Sequence, residues 1–293
     1  MLFHGPHGWT EFSPFDDYSD EESVAWLRAA IEFGWGALPA LLRTEIPVNA
    51  TVPAVAAADV SAVLARFPGC RTAKVKVAGP GTTLAADVER VRAVRLALGV
   101  EGRIRVDANG GWNVDEAEHA FHALAEFDLE YVEQPCASIT ELAELRERTA
   151  YMGIPIAADE SVRRESDPLE VAHVGAADIL VIKVQPLGGI ARALDIVRQA
   201  GLPAVVSSAL DTSVGLAMGA HLAAALPDLE FDCGLGTAAL LAADVTDSPL
   251  LPVDGHITVT RPEVSHELLK RHAATPERTS AWRERLTRVY PLL

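Results

Sequence analysis

Apolar and polar residues alternate along the chain in a repeating pattern between Pro47 and Gly236. Short apolar runs, many of them β-branched, are each followed by a polar position and then by a longer stretch with helical periodicity. Such runs predict strands, and the stretches between them predict helices. The predicted strands are 48–55, 72–77, 103–108, 131–134, 155–159, 179–184, 203–208 and 230–235. The predicted helices between them are 57–67, 82–98, 114–126, 139–148, 168–174, 189–199 and 214–226.

Eight strands that alternate with helices predict an α/β fold with parallel strands and right-handed crossovers. No G-x-G-x-x-G motif follows the first predicted strand, which disfavours a dinucleotide-binding sheet. We therefore predict a β/α barrel over residues 47–249. Four helix starts are predicted from residues that commonly cap helices, namely Thr82, Asn113, Ser138 and Asp167.

The two ends of the chain have a different composition. Residues 1–46 begin with a segment rich in glycine, proline and aromatic residues, followed by the acidic run 16–22 and an amphipathic helix predicted at about 21–34. Residues 250–293 contain one predicted strand, 257–259, and a basic helical segment. We predict that the segments 1–46 and 250–293 pack together as a smaller α+β cap on the barrel.

Charge and cysteine content narrow the range of partners. The 293 residues have a formal net charge of −16, which argues against a nucleic acid partner. The cysteines Cys70, Cys136 and Cys233 lack metal-binding spacing and fit a reducing compartment. Neither a signal peptide nor an apolar run of about 18 residues is visible. We therefore expect a cytoplasmic protein that binds a small molecule rather than a membrane, and a monomer is compatible with the sequence.

Three successive predicted strands end in a carboxylate. Asp107, Glu133 and Asp159 follow one another at intervals of 26 residues. Because the C-terminal ends of barrel strands carry the active site, these side chains should meet at one rim. Converging carboxylates repel one another unless a cation neutralises them, and oxygen ligands suit Mg²⁺ or Mn²⁺ better than Zn²⁺. The alternative is that each acid only caps the helix after it.

Lysines lie on predicted strands of the same barrel. Lys74 and Lys76 are two residues apart and therefore share one face of their strand, while Lys183 lies near the end of the sixth strand, across the barrel. A buried ammonium group is costly unless it meets negative charge, and a lysine whose pKa is lowered can act as a base near neutrality. The alternative is that Lys74 and Lys76 lie exposed on an outer edge.

The combination of these motifs resembles the enolase superfamily, in its muconate-lactonizing-enzyme subgroup. The matching segments are Lys74-Val75-Lys76, Asp107-Ala108-Asn109, Glu133-Gln134-Pro135, Asp159-Glu160-Ser161 and Lys183 followed by Gly188-Gly189. The resemblance covers the whole barrel and implies a modified TIM barrel with a capping domain. It also implies that the three acids bind one Mg²⁺ ion, with Mn²⁺ as a possible substitute.

The resemblance also implies roles for individual residues. Lys76 would remove a proton α to a carboxylate and then, as an ammonium, assist departure of a hydroxyl group. Lys74 would support the substrate carboxylate, and Lys183 would stabilise the enediolate or the ring from the opposite face. Asn109 and Glu160 are expected to orient the metal ligands.

Arg105 is a further candidate on the third predicted strand. It lies two residues before Asp107 and should therefore face the same way, into the barrel. We expect it to pair with a carboxylate of the metal site.

Three more segments resemble one dehydratase family of that subgroup, in its actinobacterial form. They are GWTEFSPF at 8–15, VVSSALDTSVGL at 205–216 and CGLGT at 233–237. The resemblance implies dehydration of a succinyl-substituted cyclohexadiene carboxylate for menaquinone biosynthesis. The candidate substrate-binding residues are Ser207, Ser208, Thr212, Ser213, Gly234 and Gly236. Alternatively, Thr212 and Ser213 cap the next helix and the glycines serve a tight turn.

Other functions use the same residues differently. An N-succinylamino-acid racemase or a dipeptide epimerase would use Lys76 and Lys183 as opposed bases. A catalytically silent barrel would be a binding protein, although such a protein has no reason to keep a costly charge cluster. Relatives open with an additional strand and a mobile loop over the site, whereas this sequence opens close to GWTEFSPF. We therefore expect either a start upstream of Met1 or a shortened lid.

Overall fold

The computed structural model describes residues 1–164 and 167–293, and a curled sheet of parallel strands forms its centre. Within these residues the sheet has seven strands, from Ala50–Val52 to Ala204–Val206, and each strand pairs with its neighbour in sequence. The predicted α/β fold is therefore confirmed. The strands of the chain are β1 (Leu2–Gly5), β2 (Gly8–Glu11), β3 (Glu45–Pro47), β4 (Ala50–Val52), β5 (Thr72–Lys76), β6 (Arg103–Asp107), β7 (Leu129–Glu133), β8 (Ile156–Ala158), β9 (Ile179–Ile182), β10 (Ala204–Val206) and β11 (His256–Thr258).

Helices connect successive barrel strands and cover the ends of the chain. They are α1 (Asp20–Trp35), α2 (Val60–Leu64), α3 (Leu84–Leu98), α4 (Val114–Leu124), α5 (Ile139–Thr149), α6 (Glu160–Arg163), α7 (Glu170–His173), α8 (Val184–Leu187), α9 (Ile190–Ala200), α10 (Ser213–Ala225), α11 (His266–Arg271) and α12 (Pro276–Val289). In the described part of the chain, no helix is both long enough and apolar enough to cross a bilayer.

Capping residues explain where several helices begin. Asn113 and Ser138 cap α4 and α5 as predicted, each in a capping box with a glutamate three residues later. α3 is capped by Thr83, one residue later than predicted. The start predicted at Asp167 is displaced, since α7 has Leu169 at its N-cap.

The eighth predicted strand, 230–235, is reduced to a short junction that closes the barrel. Cys233 and Gly234 form single parallel bridges to the segments beside β4 and β10, respectively. The Asp232 carbonyl accepts a hydrogen bond from Arg105 Nη1 at 2.6 Å. This carbonyl therefore serves a side chain rather than a strand ladder, which explains why the pairing is so short.

Alternation along the strands fills the barrel interior below the rim with an apolar layer. Its buried residues are Tyr131, Ala157, Ile179, Val181 and Val205. The opposite faces of the strands pack against the surrounding helices in one large core. The inward positions at the strand ends are thus left for the polar side chains.

The two ends of the chain pack against each other beside the barrel. Arg285 of α12 donates to the Tyr18 carbonyl at 2.7 Å and to Ser23 Oγ at 2.9 Å. β11 pairs antiparallel with β3. The apolar cluster between the ends consists of Phe12, Tyr18, Trp26, Leu27, Ala30 and Val289. The ends therefore meet as expected, while the divisions at 46/47 and 249/250 remain predictions.

Candidate active site

Charged side chains from neighbouring strands lie at one rim of the barrel. Lys76 of β5 lies opposite Asp107 of β6, which in turn lies opposite Glu133 of β7. Asp159 directly follows β8, and Lys183 directly follows β9. Parallel pairing in this register brings these side chains to the C-terminal ends of their strands, where barrels carry their active sites.

Two lysines of β5 contact two of the acids. Lys74 Nζ lies 2.8 Å and 3.0 Å from the carboxylate oxygens of Glu133 and 3.4 Å from Asp107 Oδ2. Lys76 Nζ donates to Asp107 Oδ2 at 2.5 Å. The Lys74 side chain is 7% exposed, whereas that of Lys76 is 33% exposed. Lys74 is therefore a buried counter-ion, and Lys76 is the lysine of β5 that a molecule from solvent can reach.

Asp159 is held from two directions. Lys183 Nζ donates to its Oδ2, and Arg163 Nε donates to its Oδ1 at 3.0 Å. Arg163 also donates to Glu160 Oε1 at 2.7 Å, and Asn109 Nδ2 donates to the same oxygen at 3.2 Å. Asn109 and Glu160 thus lie beside the acids, and their role in orienting ligands remains a prediction.

Burial and the lysines act in opposite directions on the acids. Burial would raise the pKa of Asp107, but Lys74 and Lys76 lower it below its usual value. Burial, and then Asp107, raise the pKa of Glu133 to about 7 against the effect of Lys74. Burial would lower the pKa of Lys74, but Glu133 and Asp107 hold it above its usual value. Glu133 therefore titrates near neutrality beside an ionised Asp107 and a protonated Lys74.

The donor set fits a hard divalent cation. Among the described residues, no group of three acids, histidines or cysteines is arranged to hold a metal ion, and ammonium groups contact the carboxylate oxygens of the three acids. However, Asp107, Glu133 and Asp159 are fully buried and offer only oxygen, as Mg²⁺ and Mn²⁺ prefer. Beside them, Glu160 Oε2 is buried with no hydrogen-bond partner within residues 1–164 and 167–293. A buried acceptor without a partner is costly, so this oxygen also favours a nearby cation.

A cavity of about 230 Å³ opens over this rim. Lys74, Lys76 and Lys183 all line it, together with Arg163. Phe15, from the N-terminal segment, contributes an apolar part of the wall. The cavity therefore suits a small molecule that carries negative charge and an apolar ring.

Half of the predicted substrate-binding residues lie at this cavity. Ser207, Ser208 and Gly234 line it. Ser208 Oγ donates to the Gly234 carbonyl at 2.9 Å. A Cβ on Gly234 would lie only 2.5 Å from Ser207 Oγ, so glycine lets the wall approach closely here. The contact of these three residues with a substrate remains a prediction.

The other three predicted substrate-binding residues are not in the described lining of this cavity. Each of them has a structural contact instead. Thr212 caps α10 and its hydroxyl donates to Glu11, while Ser213 Oγ donates to Asp244 at 2.6 Å. A Cβ on Gly236 would lie 3.1 Å from the backbone oxygen of the residue before β4. The capping alternative therefore holds for Thr212, whereas Ser213 is the first residue of α10 and Gly236 is needed for close packing rather than for a tight turn. Contact of these residues with a substrate remains a prediction.

Arg105 faces the barrel interior as expected, but its partner differs. Its Nε donates to Glu130, and its guanidinium carbon lies 4.8 Å from the centre of the Tyr131 ring. The prediction that Arg105 pairs with a metal-site carboxylate is therefore wrong. Side-chain alternation along the strand correctly predicts that Arg105 faces inward. However, because Arg105 lies two residues before Asp107, it lies about 7 Å deeper in the barrel.

Sequence reasoning missed residues that hold the acids in place. Arg163 contacts Asp159 four residues earlier, a helical spacing that could have indicated the pair. Gln134 Oε1 accepts hydrogen bonds from the amides of Asp159, at 3.0 Å, and Ser161, at 3.2 Å. The Tyr18 hydroxyl accepts from Arg163 across 145 residues of sequence. No local pattern points to Tyr18, because that contact exists only in the folded chain.

Two family models match this chain. Residues 56–263 match the model described as enolase C-terminal domain-like, and residues 1–34 match the one described as enolase N-terminal domain-like. The chain therefore belongs to the enolase superfamily, as its motifs predict. Members of this superfamily generally depend on a divalent metal ion.

Curated relatives are similar over the full chain. The o-succinylbenzoate synthase of Mycobacterium ulcerans (strain Agy99) is 52% identical over 293 residues, which are 100% of this chain and 88% of that protein. The o-succinylbenzoate synthase of Mycobacterium tuberculosis (strain ATCC 25618 / H37Rv) is 53% identical with the same coverage. Among solved structures, N-succinyl Arg/Lys racemase from Bacillus cereus ATCC 14579 has a TM-score of 0.72 at 23% identity, over 85% of this chain and 72% of that one. The structural match supports the fold, and the sequence matches group this chain with the o-succinylbenzoate synthases.

Proposed function

We propose that this chain is an o-succinylbenzoate synthase, which removes water from 2-succinyl-6-hydroxy-2,4-cyclohexadiene-1-carboxylate to give 2-succinylbenzoate. Identity of 52% and 53% over the whole chain to proteins of that name carries the proposal. The cavity with a lysine on either side supports it. We further propose that the enzyme acts in the cytoplasm, in menaquinone biosynthesis.

The three acids would hold the divalent ion. We propose Mg²⁺, with Mn²⁺ as a substitute, for the site formed by Asp107, Glu133 and Asp159. When bound, the ion stabilises the negative charge of an enediolate. Because the pKa of Glu133 is about 7, this residue gives up a proton to become a ligand. Metal affinity is therefore expected to rise with pH through neutrality.

Lys76 is the proposed base. Its Nζ takes the proton α to the substrate carboxylate, and the C–H electron pair stays on the substrate as an enediolate. The Lys76 ammonium then gives this proton to the departing hydroxyl, so water leaves and the ring becomes aromatic. Contacts of Lys76 Nζ with Asp107 and with Asn109 Oδ1, at 2.8 Å, support a fixed position at the cavity edge.

The other residues of the cavity are proposed to bind and orient. Lys74 keeps Glu133 and Asp107 in place through its contacts with both. Lys183, directly after β9, supplies positive charge from the opposite side of the ring. Ser207 and Ser208, with Gly234, are proposed to contact the succinyl tail, while Asn109 and Glu160 orient the metal ligands.

A dehydration assay tests this proposal through the ultraviolet absorbance of the aromatic product. Metal-loaded wild type should turn the substrate over, and chelation with EDTA should stop it. Lys76→Ala and Lys76→Arg should lower kcat by about 10²–10⁴-fold, because packing cannot replace a base. Circular dichroism should show that both variants remain folded. A metal-loaded wild type that leaves this substrate unchanged would refute the proposal.

A racemase or epimerase of the same superfamily is the second candidate function. Lys76 and Lys183 line one cavity from different strands, as two opposed bases would. Incubation of N-succinyl amino acids and dipeptides in D₂O separates the two functions, because racemisation exchanges the α hydrogen without loss of water. A silent binding barrel is disfavoured because the curated relatives are enzymes.

A further inference from the structure

Two buried acids lie outside the rim described above. Glu11 is the last residue of β2, and Asp211 lies in the turn between β10 and α10; they are 4% and 5% exposed. Both lie over Gly215 of α10. A Cβ on Gly215 would be 2.6 Å from Asp211 Cβ, 2.9 Å from Gln185 Nε2 and 2.9 Å from Glu11 Oε2. Side chains from β2, α8 and the turn therefore converge on one point.

Asp211 connects two parts of the active-site wall. Its Oδ1 accepts from Gln185 Nε2 at 2.7 Å, and its Oδ2 accepts from the Ala209 amide at 3.1 Å. Gln185 is two residues after Lys183, and Ala209 lines the cavity together with Leu210. Gln185 Oε1 is buried and has no hydrogen-bond partner in the described ranges. The hydrogen bond to Asp211 therefore holds this side chain in place.

Glu11 connects the start of α10 to the N-terminal segment. Its Oε2 accepts from the Gly215 amide at 3.0 Å and from the Thr212 hydroxyl. Leu210, between the two anchored ends of the turn, has a φ of 63°. Such a conformation is unfavourable for leucine and persists only where the surroundings enforce it. The hydrogen bonds of Asp211 and Glu11 provide that enforcement.

Burial of these two acids changes their pKa values. Burial and then Glu11 raise the pKa of Asp211 to about 7, and burial raises the pKa of Glu11. The other charged groups that act on the pair are Lys183, toward Asp211, and the Met1 amino group, toward Glu11. Because two buried carboxylates disfavour double ionisation, the pair retains a proton near neutral pH.

We propose that Asp211 is a positioning residue, which holds the cavity-lining turn 207–210 against Gln185 and thereby sets where Lys183 stands relative to the substrate. This inference rests on the proposed function and deepens it. Asp211 and Gln185 lie outside the described lining of the 230 Å³ cavity, so they act through the residues that they hold.

The variant Asp211→Asn tests the role with little change in shape. An amide offers one acceptor atom and one donor atom in place of two acceptors, so Gln185 Nε2 and the Ala209 amide can no longer both donate to residue 211, and the Gln185 side chain has to change its position. We expect kcat at saturating substrate to fall by about 10-fold to 100-fold, the range that a displacement near 1 Å produces. Gln185→Met should cause a similar fall, and the double variant should be no slower than the slower single variant.

A second measurement tests the protonation of Asp211 through the pH dependence of stability. Since the folded pKa of Asp211 lies above its ordinary value of 3.8, the folded state binds more protons than the unfolded state between 3.8 and about 7. This contribution to stability is present at low pH and is lost as pH rises through that window. Asn cannot titrate, so the free energy of unfolding of Asp211→Asn should rise relative to that of wild type between pH 3.8 and about pH 7, and the difference should stay constant above that.

Asp244→Asn is the matched control. Asp244 also supports the start of α10, accepting from the Ser213 amide at 3.1 Å, but its hydrogen bonds go to residues other than Gln185 and the turn. It should lose stability while kcat stays within about twofold of wild type. An inactive wild type would refute the proposed function. An active wild type with unchanged kcat in Asp211→Asn, or in Gln185→Met if Asp211→Asn does not fold, would overturn the positioning role. Multiplying effects in the double variant would overturn it too.

Discussion

Replacement of Lys74 by methionine removes the positive charge that lies between two buried acids. The Lys74 ammonium contacts both oxygens of Glu133 and lies 3.4 Å from Asp107, at a position only 7% exposed. Methionine has a similar length and leaves packing nearly intact. Removal of one partner from a buried ion pair costs about 3–5 kcal/mol, because the remaining charge is left without compensation. We expect a loss of this size in the free energy of unfolding of Lys74→Met above neutral pH.

The pH dependence of this loss follows from Glu133. Beside Lys74 its pKa is about 7, above the ordinary value of 4.5, so the folded state binds the extra proton between these values. Below pH 7, Glu133 is protonated in wild type and variant alike, and the loss stays constant. Above pH 7, wild type ionises Glu133 against Lys74, whereas the variant has no such counter-ion. The loss should therefore grow by up to about 1.4 kcal/mol for each further pH unit.

Urea denaturation in EDTA measures this loss. We would compare wild type and Lys74→Met at about pH 6 and pH 8.5, where the expected difference between the two losses is about 2 kcal/mol. Arg198→Met is the control, because its ion pair with Asp195 is solvent-exposed and such pairs contribute only about 0–1 kcal/mol. The double variant Lys74→Met/Glu133→Gln should recover most of the loss, since it removes both partners. A loss that is equal at both pH values would refute the assignment to Glu133.

Other substitutions test separate parts of the site. Magnesium at about 100 times its Kd should stabilise wild type by about 2.7 kcal/mol in urea, and Asp159→Asn should remove most of this gain; an unchanged gain would exclude Asp159 as a ligand. Arg163→Met should lower the free energy of unfolding by about 1–3 kcal/mol, because buried acceptors on Asp159 and Glu160 lose a donor, and equal urea midpoints would contradict this. Gly215→Ala should reproduce the kcat loss of Asp211→Asn, since its Cβ would press on that side chain; full activity would argue against a shared node.

Local patterns predict the rim because they depend on short-range geometry. Period-two alternation sets which side of a strand each residue faces, and equal β/α units set equal heights. Asp107 and Glu133 follow from these rules alone and lie opposite each other, although the register of their strands shifts between Ile104 and Arg105. Asp159 required one more step, since it lies just beyond β8 and its contacts come from α6 and from the residue after β9.

Features that depend on partners distant in sequence could not be predicted in this way. The eighth strand shortens because Arg105, 127 residues away, uses the Asp232 carbonyl. Ser207 and Thr212 look equally suitable in sequence, but the turn between them directs one to the cavity and the other to Glu11. Hydroxyl groups alone do not reveal which will happen, because the turn geometry is set by side chains from other elements.

Arg105 shows why direction and partner have to be argued separately. The guanidinium group is fully buried, and continuous strand alternation correctly turns it inward, yet its charge is compensated by Glu130 and by the face of Tyr131. Four cationic side chains already contact the carboxylates at the rim, so a further one there would compete with them and with a divalent ion for the same oxygens. Placed deeper, Arg105 instead occupies the barrel interior and holds the closing junction through the Asp232 carbonyl. The depth of Arg105 therefore assigns its charge to the closing junction below the rim, while the cations at the strand ends contact the acids of the site.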